Sequence, residues 1–554
     1  MEPHARRASR LAGCALALAA AGGLVAQETR PDGALGRLRN VTIRTQDVFS
    51  DEQADHNLLY RLANLLHGTT RQEVVEREFW FTRGDRLTRD EIEELERNLR
   101  ALGIFGGVKT TVTPVEDDHF DLAVDTRDRF TLAAAASYSR VGGVNKLSFR
   151  LAESNLFGTG KKLVATARYS EDEYNNYLEY VDPQLFGTWH TLASRVGETE
   201  EGAFLDLALR RPYHHLSDPW TYGMESSSAQ EDVDYYREGE TTAEVPLDRH
   251  EMRFFAAHAT GPREERHAVG LDLRGRYAEY EPAFGIDAAR WRVPGDTWWV
   301  EFGPYATYEY RPAFDEVQRL DAIDFDEDLP LGVSLLARVA ARYRDEQGVG
   351  SEVQPVLALQ TRIAVRAWPE TYFTLEATGQ ARWNDARAQG WRTGLALHAY
   401  QLSLPQQTLA ASFTFDLAAE RQDLVPQFTL GEDNGLRGYP AREFSGSRYA
   451  RLNLEDRIDT GIEVWSVRLG AAAFCDVGWV HDPVQGYSMS DPIRSVGLGL
   501  RLGSSHLFGS RVLRLDVAWP LDEVGGQDYG VSVSFATGQV FTFFGNASEL
   551  RADF

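Results

Sequence analysis

The sequence predicts a small N-terminal α+β domain followed by a transmembrane antiparallel β-barrel of about 16 strands. Three observations lead to this fold class: an N-terminal segment typical of export, a β-α-α-β-β order of elements before residue 130, and period-two segments with charged residues at mid-strand in the remainder. Aromatic residues make up 11% of the 554 residues, with 12 Trp and 22 Tyr but only 4 Met. That composition suits a β-rich protein with aromatic side chains at a membrane interface.

The net charge of −25 at pH 7 disfavours nucleic acid as a partner and a polybasic mode of membrane attachment. No stretch after the N-terminal segment approaches the ~20 apolar residues that a spanning helix needs. An exported chain of this kind is soluble, attached to a surface, or a β-barrel, whose alternating strands leave the average hydropathy low.

Residues 1–26 are predicted to be a secretory signal peptide, because arginines near the start precede an apolar run that ends at Leu24-Val25-Ala26. Cys14 lies in a lipoprotein-like box, but the apolar segment follows the cysteine instead of preceding it. If Cys14 is removed with the signal, Cys475 is the remaining cysteine and no intramolecular disulfide can form.

A single α+β domain is predicted over residues 37–128. Thr70 and Thr88 each stand three residues before a glutamate, which is the capping-box pattern of a helix start. Residues 46–67 carry several leucines and are predicted to form an inserted amphipathic segment or lid. The predicted elements are strands at Leu38–Ile43, Val108–Val112 and Phe120–Val124, one helix from Thr69 or Thr70 to about Phe79, and a second from Thr88 to Gly103.

The barrel is predicted over residues 130–541. The clearest strands are Val496–Gly503 and Leu513–Trp519, each with one apolar face and one face that carries a charge at its middle. A soluble sandwich shows the same alternation, but the export signal and the mid-strand charges favour a membrane barrel. At roughly 26 residues for each strand with its connection, the region holds about 16 strands. Residues 542–554 are predicted to be a strand extension or a C-terminal tail.

The segment Gly431–Gly446, called the latch loop below, joins turn residues to a lone arginine. Gly435 and Gly438 permit positive φ, and Pro440 fixes the chain just after Tyr439. Taken alone, this is an exposed hairpin loop whose arginine makes a weak surface ion pair.

Several motifs together resemble the outer-membrane assembly-factor superfamily, which includes the BamA and TamA proteins, two-partner secretion transporters and bacterial surface antigens. The family combines periplasmic POTRA domains of β-α-α-β-β order with a C-terminal 16-stranded barrel. The matching motifs are Leu436-Arg437-Gly438-Tyr439, the Phe-x-Asp-x-Gly pattern of Phe474, Asp476 and Gly478, the early barrel segment Glu153–Gly160, Val181-Asp182-Pro183, and Gly84-Asp85 with Leu99-Arg100 in the POTRA.

The alternation of residues supplies a contact for the arginine of this motif. The strand Trp465–Trp479 is predicted to place Phe474, Asp476 and Gly478 toward the lumen, and the strand before it directs Glu455 inward. We therefore predict that Arg437 and Asp476 form a partly desolvated pair that holds the latch loop inside the barrel, with Glu455 as a second acceptor.

The seam between the first and last strands is predicted to be weak. The first strand, Phe130–Ser139, contains Ala133-Ala134-Ala135-Ala136, which has poor β-propensity and little cross-strand packing. The last strand, Tyr529–Phe541, contributes Phe535, Gly538 and Phe541. Two interpretations are left open: the seam opens sideways to template an incoming strand, or the small residues let the lumenal loop pack closely.

The resemblance implies an outer-membrane protein with its POTRA in the periplasm. Its implied partners are the lipid bilayer, unfolded client polypeptides that dock on the POTRA hairpin edge, and periplasmic accessory proteins. A single POTRA favours a specialised insertase or translocase over a general assembly role. The alternatives are a passive channel or secretion pore, and a structural surface antigen.

No enzyme is predicted, because no nucleophile elbow, phosphate-binding glycine loop or His-Glu-x-x-His pair occurs. His214-His215 is predicted to serve a loop or interface role in preference to metal binding. Asp324–Asp328 resembles the start of a calcium loop but lacks the following glycine, so a solvated acidic loop is expected. No cofactor or metal is expected.

Overall fold

The structure, a computed structural model, describes residues 33–48, 68–116, 118–141, 144–170, 173–262, 264–323, 326–384, 387–420, 423–424, 427–464, 467–482, 486–503, 512–524 and 526–542. The predicted signal peptide, nearly all of the predicted inserted segment 46–67, and residues 543–554 lie outside these ranges. In the described part of the chain, no helix has both the length and the apolar character needed to cross a membrane.

The N-terminal domain is a four-stranded sheet covered by two helices. Strand β1 runs parallel to β4 and pairs antiparallel with β2, and the sheet order is β2-β1-β4-β3. Leu38, Leu95, Leu99 and Phe120 are buried between the sheet and the helices. The elements are β1 Ala34–Gln46, α1 Gln72–Glu76, β2 Arg86–Thr88, α2 Arg89–Ala101, β3 Phe105–Val115 and β4 His119–Asp128.

Of the two predicted capping boxes, the one at α2 is present and the one at Thr70 is not. The Thr88 hydroxyl accepts a hydrogen bond from the Glu91 amide, and the Glu91 carboxylate accepts one from the Thr88 amide. Helix α1 begins only at Gln72. The Thr70 amide instead donates to the Asp128 carboxylate at 2.7 Å, so a tertiary contact replaces the local cap.

The rest of the described chain forms a closed antiparallel barrel of 20 strands. Strands β20 Phe428–Leu430 and β21 Phe444–Gly446 are outside it and pair with each other. The barrel strands are β5 Leu132–Val141, β6 Val144–Glu153, β7 Lys162–Tyr169, β8 Tyr174–Asp182, β9 Thr191–Thr199, β10 Ala203–Arg211, β11 Trp220–Arg237, β12 Glu240–Thr260, β13 Glu265–Tyr280, β14 Thr297–Gln318, β15 Asp326–Glu346, β16 Gly350–Trp368, β17 Thr371–Asn384, β18 Arg387–Gln401, β19 Gln407–Glu420, β22 Arg448–Val464, β23 Val467–His481, β24 Ile493–Gly503, β25 Val512–Pro520 and β26 Ser532–Thr537.

The count of 20 strands corrects the predicted count of about 16. The error came from the assumed length of each strand with its connection. Strands β5 to β10 are only 8 to 10 residues long and are joined by short turns, so six strands fit between Leu132 and Arg211. Strands β11 to β16 are 16 to 22 residues long, and the barrel wall is therefore tall opposite the seam and low beside it.

The outer and inner surfaces of the barrel differ as the alternation predicts. Large apolar side chains such as Leu151, Leu178 and Val196 are exposed on the outside, as expected for contact with acyl chains. Charged side chains such as Arg501 and Asp516 are buried in the interior. We call the end of the barrel that contacts the N-terminal domain the near end, and the opposite one the far end.

The last strand is shorter than predicted, which removes Phe541 from the seam. Strand β26 ends at Thr537, and Gly538 adopts φ +86° and turns the chain inward. The Phe541 side chain is 3% exposed and packs in the lumen in a cluster with Leu320 and Tyr400. A glycine in a left-handed conformation and an apolar site inside the barrel thus outweigh continued pairing along the wall.

Candidate functional site: the lumenal latch

The latch loop leaves the far end of the barrel and folds back into the lumen. Its first residues form a short 3-10 turn at Glu432–Asn434. Gly435 and Gly438 have φ values of +101° and +97°, which only glycine adopts without strain. A Cβ at Gly438 would also lie 3.3 Å from the ring atoms of Pro520. The two glycines therefore shape the turn that presents the arginine between them.

Arg437 is completely buried and meets the residue predicted for it. Its Nε and Nη2 donate to the two carboxylate oxygens of Asp476 at 2.7 and 2.8 Å, and Nη1 donates to Glu455 at 2.6 Å. The main-chain amide of Arg437 also donates to Asp476, at 3.3 Å. The pair is bidentate and charge-assisted, which is the strongest geometry open to a guanidinium.

A wider network surrounds this pair. The Arg437 guanidinium carbon lies 3.4 Å from the centre of the Phe474 ring, so the Phe of the Phe-x-Asp-x-Gly motif is a cation–π partner. Asn453 donates to both Asp476 and the Gly435 carbonyl, at 2.7 and 2.6 Å. Further ion pairs surround the site. Asp516 pairs with Arg501 and Arg514, and Glu455 also pairs with Arg457. These partners offset the cost of burying so many charges.

The remaining motif residues pack the loop against the wall. Leu436 and Tyr439 are fully buried, and the Tyr439 hydroxyl donates to the Arg494 carbonyl at 2.8 Å. A Cβ at Gly478 would stand 2.5 Å from a methyl group of Leu430, so glycine is needed for the loop to lie this close. All the sequence-predicted latch residues therefore converge on one site.

The latch loop also bonds to the opposite wall of the barrel. The Ser445 hydroxyl of the loop and the side-chain amide of Gln427, four residues before the loop, both donate to the main-chain carbonyl of Tyr236 in β11, at 2.7 and 3.0 Å. The Tyr236 amide in turn donates to Gln427 at 2.7 Å. The loop thus spans the lumen from β23 to β11.

Sequence reasoning missed Asp423, which precedes the latch loop. Its carboxylate accepts hydrogen bonds from Arg344 of β15 and Arg382 of β17, at 3.1 and 2.7 Å. This second attachment holds the segment between β19 and the latch loop against strands β15 and β17 of the barrel wall. No motif or strand periodicity marks Asp423, and its partners come from long strands whose register the sequence does not reveal.

The N-terminal domain is fastened to three near-end turns of the barrel. In the first turn, Asn155 donates to the Thr70 hydroxyl at 2.8 Å, and in the second the Trp189 indole donates to the Arg77 carbonyl at 2.8 Å. In the third, the Leu216 amide donates to the Glu94 carboxylate at 2.5 Å. The His214 and His215 rings stack on Trp189 and Trp80 with centroid separations of 4.4 and 5.1 Å.

One carboxyl in this joint is buried with no cationic partner at hydrogen-bonding distance among the described residues. Glu78 accepts a hydrogen bond from Gln184, and the Nε2 atom of His214 lies 3.7 Å from its carboxylate. Burial raises the pKa of Glu78 to about 7. Burial also lowers the pKa of the His214 ring. The joint between domain and barrel therefore contains a carboxyl whose pKa is raised and an imidazole whose pKa is lowered, both by burial.

At the seam, strands β26 and β5 pair at a single register position in the described residues, with Phe535 opposite Arg140. Strand β5 pairs with β6 along its whole length, from Leu132 to Val141. The predicted alanines Ala133, Ala134, Ala135 and Ala136 thus lie on a strand edge that β26 does not reach, because the chain has turned inward at Gly538.

The predicted acidic loop Asp324–Asp328 lies partly outside the described residues and away from the latch. Asp324 and Phe325 are not described, but the Glu327 carboxylate accepts hydrogen bonds from the amides of Leu320, Asp321 and Ala322. Within the described ranges, no group of three or more His, Cys, Asp or Glu residues is placed to hold a metal ion.

Comparison with known families identifies the N-terminal domain. Residues 66–128 match the POTRA family model, described as "Surface antigen variable number repeat". The segment is a POTRA domain. This match confirms the predicted POTRA domain, and the closed antiparallel barrel that follows it agrees with the domain order that the resemblance implies. No protein of established function is close enough in sequence to match.

The solved structures that match this chain do so at low similarity. BamA from Haemophilus ducreyi lacking POTRA domains 1–3 is 11% identical with a TM-score of 0.42, over 91% of this chain and 84% of that one. CdiB from Escherichia coli is 12% identical with a TM-score of 0.47, over 91% and 76%. CdiB from Acinetobacter baumannii is 12% identical with a TM-score of 0.44, over 91% and 74%.

Proposed function

We propose that this protein resides in the outer membrane with its POTRA domain in the periplasm, and that it inserts or translocates client polypeptides through the seam between β5 and β26. It acts by binding and templating, without catalysing a chemical reaction. The single observation that supports this function best is the seam itself, where the two strands pair only at Phe535 and Arg140 in the described residues.

A strand edge left unpaired in this way can template another strand. The main-chain groups of β5 from Leu132 toward Ser139 have β6 on one side and no pairing to β26 on the other. Adding an extended client segment there satisfies those groups and creates a new neighbour for the first strand. The edge begins next to the POTRA domain, so a client held by that domain has a short path to the seam.

Client docking on the POTRA domain is proposed at its outermost strand, β3. One position of that edge is already occupied, because the Thr110 amide donates to Glu96 of α2 at 2.7 Å, and its hydroxyl donates to the same oxygen at 2.6 Å. Strand addition along the whole of β3 therefore requires Glu96 to release Thr110. A client that docks without breaking this hydrogen bond can pair only with the part of β3 on one side of Thr110.

The decisive experiment locks the seam with a disulfide. Cysteines at Arg140 and Phe535 face each other across it, and replacing Cys14 and Cys475 by alanine removes the other thiols. The same bond between Phe149 and Ala167, which are opposite each other in β6 and β7, is the matched control. Protein carrying either bond is reconstituted in liposomes and offered an unfolded outer-membrane barrel as client.

We expect oxidation to abolish client insertion in the seam variant, reduction to restore it, and the control bond to have little effect. Undiminished insertion with the Arg140–Phe535 bond fully formed would rule out passage through the seam.

A secretion pore is the second candidate, and one observation favours it. A polar cavity of about 1070 Å³ remains in the lumen beside the latch, lined by Arg195, Arg253, Arg342, Glu225 and Glu251 among others. A pore predicts steady ion conductance by the unaltered protein in planar bilayers. An insertase held closed by its latch predicts little conductance until Arg437 is replaced by alanine.

A further inference from the structure

Two turns at the near end of the barrel repeat one another in sequence and in conformation. The turns are Asn155-Leu156-Phe157-Gly158-Thr159 after β6 and Gln184-Leu185-Phe186-Gly187-Thr188 after β8. In both, the phenylalanine has φ +54°, a region that bulky residues rarely adopt, and the following glycine also has a positive φ. The same hydrogen bonds recur, with the threonine hydroxyl donating to the leucine carbonyl at 2.6 and 2.7 Å.

Both turns direct their phenylalanine away from the protein. Phe157 is 77% exposed, and Phe186 is 92% exposed, which is the largest value among the large hydrophobic side chains in the described residues. A folded protein rarely holds two neighbouring aromatic rings in water in a constrained backbone conformation. Their setting therefore points to contact with something apolar.

The POTRA domain braces each turn from behind. The Arg71 amide donates to the Gly158 carbonyl at 2.9 Å, and a Cβ on Gly158 would lie only 2.2 Å from the Thr69 carbonyl oxygen. In the second turn, Gln184 donates to the Val74 carbonyl at 3.1 Å, and the Arg77 guanidinium lies against Gly187. The domain covers the backs of the turns and leaves the two rings free.

The height of the wall places these rings at the membrane boundary. Strands β6 to β9 are 8 to 10 residues long, close to the ~9–11 that a tilted strand needs to cross the hydrocarbon layer. Their outer faces already carry Leu151, Leu163 and Leu178 in the exposed apolar surface. A turn directly after such a short strand lies at the level of the lipid head groups.

Other near-end positions carry the same kind of side chain. Trp368 ends β16, Leu404 lies in the turn after β18, and Ile462 and Val464 lie at the end of β22, and all four are exposed. Exposed apolar side chains thus recur around the near end of the barrel. Phe157 and Phe186 are the most exposed of those named here, and they lie one and two hairpins from the seam.

We propose that Phe157 and Phe186 form a paired anchor that inserts into the adjoining lipid leaflet and, through the braced turns, seats the POTRA domain on the membrane surface. Aromatic rings are favoured at this depth, where an apolar body meets the head-group region. The anchor requires only that the barrel spans a membrane, and so it holds for an insertase and for a pore alike.

Spin labelling tests the depth of the two turns. In a background with Cys14 and Cys475 replaced by alanine, a nitroxide is attached at Phe157→Cys or Phe186→Cys, with Arg83→Cys in an exposed POTRA turn as control. In reconstituted liposomes, we expect relaxation by lipid-soluble oxygen to exceed relaxation by a water-soluble nickel complex severalfold at 157 and 186, and the reverse at 83. Equal nickel accessibility at all three sites would overturn the proposal.

Photo-cross-linking keeps the aromatic ring and avoids a variant that fails to fold. A benzophenone analogue of phenylalanine replaces Phe157 or Phe186, and the irradiated protein is examined for lipid and for protein adducts. Lipid adducts at both positions without added client support the anchor. Adducts formed only with a client or another protein would show a protein-docking surface instead and would contradict it.

Discussion

At the scale of single residues, Arg437 is a guanidinium withdrawn from water among three carboxylates. Asp476 and Glu455 bind it directly, and an Asp516 oxygen lies 3.7 Å from its Nη1. Replacing it by alanine leaves these carboxylates buried without their shared cation. Removal of one partner from such a network typically costs about 3 to 5 kcal/mol.

We therefore expect Arg437→Ala to lower the free energy of unfolding by about 3 to 5 kcal/mol, measured by urea titration of the refolded protein in detergent. Arg494→Ala is the matched control, because Arg494 makes the same bidentate contact with Asp522 at the exposed far rim. The control should differ little from the parent protein, since exposed pairs contribute little. Equal losses in both variants would contradict the role assigned to burial.

Asp423 should control how firmly the segment between β19 and the latch loop is held against the barrel wall. Asp423→Asn weakens the bonds from Arg344 and Arg382 by removing their charge assistance, at a cost of about 2 kcal/mol. We expect faster hydrogen exchange over residues 427–446, measured by mass spectrometry, while Arg437 keeps its partners. Asp433→Asn, at an exposed position of the same loop, is the control and should leave exchange nearly unchanged.

At the scale of elements, the joint between the POTRA domain and the barrel should respond to pH. The pKa of Glu78 is about 7 when docked and near the ordinary 4.5 when exposed, so the docked state holds the proton between these values. The contribution of Glu78 to the free energy of docking is therefore most favourable below about pH 4.5. It falls by up to about 3 kcal/mol as the pH rises through 7. The lowered pKa of His214 acts in the opposite sense, weakening docking as the pH falls below 6.5.

This pH dependence can be measured as the distance distribution between spin labels at Arg83 of the POTRA domain and Glu201 of the barrel. We expect a narrow distribution at pH 5 and a broader one at pH 8.5, because most of the contribution of Glu78 is lost between these values. Glu78→Gln, which fixes the neutral form, should keep the narrow distribution at both values. A parent protein that shows no change over this range would refute the assignment to Glu78.

At the scale of the whole molecule, the order of domains and the latch contact were within reach of the sequence. Alternation along β23 and β22 places Asp476 and Glu455 on the lumenal face, and a loop motif then leaves Arg437 few other partners. The α2 capping box was equally visible, because it depends only on two residues three apart. Local patterns of this kind survive folding because their partners are set by the backbone.

The features that were missed depend on information that local patterns lack. Strand number depends on strand length, which is 8 to 10 residues in β5 to β10 and 16 to 22 in β11 to β16, and no local pattern gives that difference. Phe541 looked like the end of a terminal strand, yet Gly538 allowed the chain to leave the wall and Arg457 donates to the Phe541 carbonyl at 3.0 Å in the lumen. Competition between a wall position and an interior site is a tertiary effect.

The bonds from the latch loop to Tyr236 have a consequence for chain entropy. In a fully flexible chain, joining Arg140 to Phe535 would close a loop of roughly 400 residues, for which the length-dependent part of the entropic cost is about 5 kcal/mol; strand pairs formed in between reduce that cost. A single paired position, with a net contribution of about 1 kcal/mol per hydrogen bond, does not offset it. The hydrogen bonds between β11 and the residues Gln427 and Ser445 cross the interior and help to offset the entropic cost of closing the barrel. Release of the latch loop from the lumen would restore part of this conformational entropy. The seam between β5 and β26 should therefore open most easily when the latch loop has left the lumen.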